Sequence, residues 1–182
     1  MNMAPLSITC MLGIASSNPD ELDFATDRLK EEHSQLRQQL KALEHSAKEV
    51  SLLDNPAEGV QVLQQLRQQT ADFVEALERH AEWEDQQLFP FLLDYFHRQS
   101  APSITPSFWV LEKDHQLAIS FIQTFHETII DLTPIVIKKQ LIEAAAHLIQ
   151  ACLILNDHFT MEEQLVIPLT EKVLTDLESF FS

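Results

Sequence analysis

A chain of 182 residues with a formal charge of −16 is long enough for one domain with a real core, and its charge excludes nucleic acid and anionic membranes as partners, since either would repel it. Small anionic substrates are disfavoured on the same ground, whereas neutral gases and cations are not. Only two glycines among many Leu, Gln, Glu and Ala residues point to long helices, and two cysteines, Cys10 and Cys152, make no disulfide framework, so a reducing cytoplasm is the expected setting.

Residues 1–18 differ from the rest. Pro5 to Ile14 is mildly apolar, but no Lys or Arg precedes it and Ser7, Thr9 and Gly13 break the run. It fails as a secretory signal or membrane span and reads as a flexible or loosely docked arm ahead of a domain over 19–182. Helix starts are then announced four times: Asn18-Pro19, Asn55-Pro56, Thr105-Pro106 and Thr133-Pro134 each offer a side-chain acceptor at the cap and a proline where its missing N–H costs nothing.

The first predicted helix carries Leu22, Leu29, Leu36 and Leu40 on one face with His33, with Thr26 as a polar break in the stripe. The second carries Val74, Leu77, Ala81 and Leu88 around His80 and Glu84, and is expected to bend or stop near Pro90, with residues 91–98 turning across the bundle end. In the third, Val110, Leu111, Leu117, Ala118, Phe121 and Phe125 flank His115. In the fourth, Leu148, Cys152, Leu155 and Phe159 accompany His158 and Glu162. Short connections make neighbours antiparallel, so the fold class is all-α, an up-down-up-down four-helix bundle. The early turns of helices 2 and 4 are expected to overhang or bend, because more helix precedes their histidines than follows His33 and His115.

The ligand-type residues form one pattern written twice. A lone histidine, His33 or His115, is followed 47 or 43 residues later by a His-x-x-x-Glu pair, His80 with Glu84 or His158 with Glu162. The copies share a proline ten positions after the paired histidine, Pro90 and Pro168, and an acidic residue just before the lone one, Glu32 and Asp114. This is an internal duplication, with repeats at about 19–98 and 105–170. His45 and Glu49 have the pair spacing without the flanking agreement.

His and Glu at i and i+4 share a helical face, so each pair can point into the bundle. Four imidazoles and two carboxylates suit a pair of transition-metal ions, each with two histidines, with Glu84 and Glu162 bridging and a solvent-derived oxo or hydroxo bridge between. Iron fits this donor set, with manganese and zinc as alternatives. With no cysteine near the ligands, a structural zinc knot and an iron–sulfur cluster are disfavoured.

The doubled pattern resembles the hemerythrin-like family, named for its His-His-Glu cation-binding repeat, over roughly residues 19–170. The resemblance implies a four-helix bundle with a non-haem di-iron centre held by His33, His80, Glu84, His115, His158 and Glu162. It also implies work on a small neutral gas or peroxide, dioxygen and nitric oxide included, or the supply of iron, with a redox or iron-acceptor protein as partner. Oxygen-carrying members have a fifth histidine four residues after the third-helix ligand and an aspartate bridge. Here those positions are Ile119 and Glu162. The chain looks more like the symmetric four-histidine, two-glutamate relatives associated with nitrosative or oxidative stress and iron–sulfur cluster repair, although Cys10 alone stands where repair proteins often carry a cysteine-bearing domain. A non-catalytic iron-binding, storage or sensing protein is the alternative.

Other arrangements fit less well. A ferritin-type site needs two Glu-x-x-His motifs and the chain has one, Glu112 with His115; no His-Glu-x-x-His is present, which excludes a zinc protease of that kind. His45 and His97 read as solvated, Cys152 as a small core residue and Tyr95 as packing. Trp83, between two ligands of one face, should point sideways. His126 and His147 keep the azimuth of the ligands and are expected to meet about 16 Å from the metals as a polar plug.

Overall fold

Asn55 accepts a hydrogen bond from the backbone N–H of Ala57 at 3.0 Å and Pro56 opens the helix behind it, the predicted cap in working form. The computed structural model describes residues 19–98, 103–130 and 137–181. Helix α1 spans Pro19–Glu49, a 3₁₀ turn Val50–Leu52, α2 Pro56–Trp83, a π-helical turn Glu84–Leu88, α3 Phe89–Arg98, α4 Thr105–Ile130 and α5 Lys138–Phe181. No strand occurs among the described residues. The third cap falls one residue early, since the Ile104 carbonyl accepts from both Ser107 and Phe108. Asn18, Thr133-Pro134 and the arm at 1–18 with Cys10 lie outside the described residues.

The long helices α1, α2, α4 and α5 pack in a ring, each against the one before it, and α5 closes against α1. This is the all-α four-helix bundle expected from the sequence. The first turns of α2 and α5 are exposed, and burial begins at Gly59 and Leu141. A Cβ at Gly59 would sit 2.7 Å from Leu141 Cδ1, so any larger residue there would make the tip of that leucine shift, and glycine eases the close approach of α2 to α5.

The second helix does not stop at Pro90. Its disturbance falls earlier, where the Phe89 N–H bonds to the Glu84 carbonyl across a wide π turn. Pro90 has no N–H to give, so the regular ladder fails there anyway, and the turn absorbs the fault while rotating the next helical segment around the axis. Residues 91–98 accordingly continue as helix, with Phe91, Leu92 and Phe96 buried and the Tyr95 hydroxyl donating to Asp176 on α5 at 3.0 Å.

The apolar interior is split into two clusters. One includes Leu36, Leu40, Leu63, Phe73, Ile122, Phe125 and Leu148; the other includes Leu22, Leu29, Trp83, Leu88, Phe108, Leu111 and Val166. Between them lies a layer of buried polar groups at the level of His33, His80, His115 and His158. Elsewhere the buried breaks in the stripes are neutralised locally, for Thr26 and Thr70 bond back to the carbonyls of Leu22 and Leu66.

Candidate metal centre

All six positions of the doubled pattern are buried in that layer: His33, Glu84, His158 and Glu162 are fully covered, and His80 and His115 nearly so. The reason is periodicity. His33 falls between Leu29 and Leu36, His115 between Leu111 and Ala118, and each paired histidine one turn before its glutamate, so the stripe that packs the core also carries the polar groups inward. Burying two carboxyls and four imidazoles is expensive unless each is satisfied.

The first half of the layer is assembled. One ligand-type atom from each of His33, His80, Glu84 and Glu162 can be chosen so that all lie within 4.8 Å of one another, a group able to hold an ion. His80 Nε2 is 2.8 Å from Glu84 Oε1, and His33 Nε2 is 3.1 Å from both Glu162 Oε2 and His80 Nε2. The outward nitrogens of these rings are engaged. His33 Nδ1 donates to Glu163 Oε1 at 3.0 Å and His80 Nδ1 to Glu32 Oε2 at 2.8 Å. An ionised carboxylate only accepts, so the proton of each neutral ring sits on Nδ1 and the two Nε2 atoms turn lone pairs toward one another. A cation at their meeting point resolves that juxtaposition, and no hydrogen bond within the layer does: both oxygens of Glu84 and of Glu162 are buried without a hydrogen-bond partner.

The carboxylates behind these histidines are themselves paired. Arg28 Nε donates to Glu32 at 2.7 Å and its guanidinium lies 4.1 Å over the Trp83 ring. Arg37 contacts Glu163 at 3.1 Å and reaches Asn156 and Thr160 on α5. Partial burial alone would raise Glu32, but hydrogen bonds from His80 and Arg28 outweigh it and hold the group below its ordinary value. Trp83, expected to point sideways, is buried in the apolar cluster that includes Leu22 and Leu29 of α1 and Phe108 of α4.

The second half is looser. The His115 and His158 rings lie with centroids 4.1 Å apart and their planes inclined at 56°, and His158 Nε2 is 3.4 Å from Glu162 Oε2. His158 Nδ1 is 3.9 Å from Asp114, beyond hydrogen-bond reach, and His115 Nε2 has no partner. Burial first, then His158, push the His115 pKa down to about 3, so the ring is neutral, the form that binds metal. Of the two buried glutamates, Glu84 is pushed well above the usual carboxylate range, by burial first and then by the charge of Glu162. Glu162 is shifted the other way, its own burial outweighed first by the contact with His158.

Two features are not evident from the sequence. Phe159 is wholly buried with its centroid 4.7 Å from the His33 ring and 5.4 Å from that of His158, so it walls the layer from the α5 side. The acidic residue before each lone histidine faces the paired histidine of its own repeat, Glu32 toward His80 and Asp114 toward His158. That signal is present in the sequence only as a shared flanking residue without an assigned partner.

The remaining expectations divide. His126 and His147 do not form a plug: His126 Nε2 lies 2.6 Å from Thr70 Oγ1 on α2, His147 is set against Phe121, and both are half-buried. The ring of His126 is instead taken by a hydroxyl on α2. His45 and His97 are exposed, as expected. Glu112 is half-exposed and accepts from Lys113 and Gln116. Cys152 is buried and its thiol pushed up to about 12, chiefly by burial, as befits a core residue. No helix among the described residues is long and apolar enough to cross a membrane.

No curated protein and no solved structure matches the chain at a significant level. A family model does, the hemerythrin HHE cation binding domain, over residues 25–170. That span contains all six buried positions and most of the bundle, and with the helical architecture and the converging imidazoles and carboxylates it settles the kinship: the chain belongs to the hemerythrin HHE cation-binding domain family.

Proposed function

We propose that the chain holds a non-haem di-iron centre of the four-histidine, two-glutamate kind, with His33, His80, Glu84, His115, His158 and Glu162 as ligands and the two glutamates as bridges. Its function is to bind or reduce a small neutral oxidant, dioxygen, nitric oxide or peroxide, in a stress response or in repair of iron–sulfur clusters. The reading treats 19–182 as the working domain, 1–18 as an arm, the cytoplasm as the setting, and a redox or iron-acceptor protein as the partner.

The observation that carries it is the set of buried oxygens and nitrogens of Glu84, Glu162, His115 and His158 without hydrogen-bond partners, beside two imidazoles whose lone pairs converge. Iron bound there would supply electron transfer to a small oxidant. The chain's own part is to position and to exclude. Glu32 and Glu163 fix the tautomer and orientation of His80 and His33, His115 is kept neutral, and Phe159 with the two apolar clusters shuts out water and anions.

A second reading, a non-catalytic iron-binding, storage or sensing protein, draws on the polar layer itself: filling it would link metal to folding. Metal analysis and the optical spectrum of oxidised protein from iron-replete cells test the centre, with two irons per chain and di-ferric absorption expected; protein holding no metal would refute it. Turnover separates the readings. Anaerobic reduced protein mixed with peroxide or nitric oxide consumes it repeatedly under the first and stops after one stoichiometric reaction under the second.

A further inference from the structure

A cleft opens between α2 with its π turn and α4, lined by Glu78, Glu82, Asp85 and Glu112, with His115 at its floor. His115 is 6% exposed and its Nε2 has no partner. We propose that this acidic cleft is the port through which a divalent cation reaches the metal layer, with Asp85 and Glu112 as capture carboxylates that hand the ion to His115. The inference rests on the metal-centre reading and adds the route.

Three observations carry it. Glu112 shares its charge with the Lys113 ammonium, 3.0 Å away, and with the Gln116 amide at 2.9 Å, and Glu82 accepts from Gln86 at 2.9 Å, yet four carboxylates against one ammonium leave the cleft strongly negative. A passage for a neutral gas needs no such charge, and an anion would be turned away. On the α1 side the carboxylates nearest the layer, Glu32 and Glu163, are already neutralised by Arg28 and Arg37, so they offer an approaching cation no net negative charge. The repeat supplies the third. Asp85 follows Glu84 as Glu163 follows Glu162, and Glu163 is bound to His33, the counterpart of His115. Asp85 lines the cleft with His115 but has no arginine to hold it among the described residues, so it can meet an incoming ion first.

The test uses the full metal-free chain and cobalt(II) as a visible probe of imidazole–carboxylate sites, with uptake followed by stopped flow at low and high salt. Removing two focusing charges in D85N/E112Q should slow low-salt uptake roughly tenfold and flatten its salt dependence, with final stoichiometry and the cobalt spectrum unchanged. E143Q/E171Q, which removes the same charge from exposed positions on α5, should take up cobalt at the wild-type rate. E112Q alone, distant in sequence from the π turn, should show part of the slowing and guards against a local folding fault at Asp85. Wild-type uptake rates in D85N/E112Q, or equal slowing in E143Q/E171Q, would overturn the port. So would a lost stoichiometric equivalent or an altered spectrum, which would make these carboxylates ligands or supports. If the wild-type chain takes up no cobalt, the metal-centre reading itself fails, an outcome distinct from a wild-type chain that loads through another route.

Discussion

The two copies of the repeat carry the same ligand-type residues and support them differently. Around His33 and His80 each Nδ1 is tied to a carboxylate that is itself tied to an arginine. Around His115 and His158 the corresponding carboxylates, Asp85 and Asp114, have no arginine behind them among the described residues, and Asp114 stands 3.9 Å from His158. Duplication thus reproduced the inner groups, while the layer behind them diverged by single residues: the position equivalent to Arg37 is Ile119. One half is braced by the chain alone, and the other is not.

The difference between the halves can be tested in descending order of effect. Removing a glutamate common to both halves, by Glu84→Ala or Glu162→Ala, should cost roughly tenfold or more in metal retention measured against a competing chelator. Unchanged metal content would remove these residues from the ligand set. Next, Glu32→Ala should weaken retention by about tenfold and Asp114→Ala by only about twofold, because only the first breaks a formed hydrogen bond. Equal losses would mean that the looser half is braced as firmly once loaded.

Stability distinguishes the halves as well. Pro168 sits inside the continuous helix α5, whereas Pro90 comes after the π turn that has already released the ladder. Pro168→Ala should therefore stabilise the chain by about 1–3 kcal/mol in denaturant melts, and Pro90→Ala by less than about 1 kcal/mol. The smallest effect concerns pH. Above about pH 3 the folded chain keeps His115 neutral, while the unfolded chain protonates it below 6.5, so this contribution is present above pH 6.5 and is lost as pH falls. Glu84 works in the opposite sense, its raised value favouring the folded state toward acid. The comparison of metal-free wild type with His115→Leu isolates the histidine, and between pH 7 and 5 the wild type should lose melting temperature relative to the variant.

The fold and all six buried positions were legible because periodicity and ligand spacing are local: Leu29, His33 and Leu36 state a face, and His80 with Glu84 states a direction. Three things were not. The π turn at Glu84–Leu88 was foreshadowed by Pro90, but a proline shows only that the ladder fails, not where the slack is taken up. The roles of Glu163 and Phe159 depend on α1 lying alongside α5, a tertiary fact that no local pattern states. His126 and His147 illustrate the converse error. Ideal helices place the two rings at one azimuth and level, but a nearby hydroxyl on Thr70 takes His126 instead.

The layer of unpaired groups between two apolar clusters has a consequence for how the molecule comes apart. Without an ion, the clusters around Leu63 and Phe125 and around Leu29 and Phe108 are joined by the seam most costly to keep dry, so each can open with its own free energy and hydrogen exchange should sort the helices into two tiers. An ion seated in the seam would act as a keystone, merging the tiers into one cooperative unit whose lifetime would be set by metal loss rather than by either cluster.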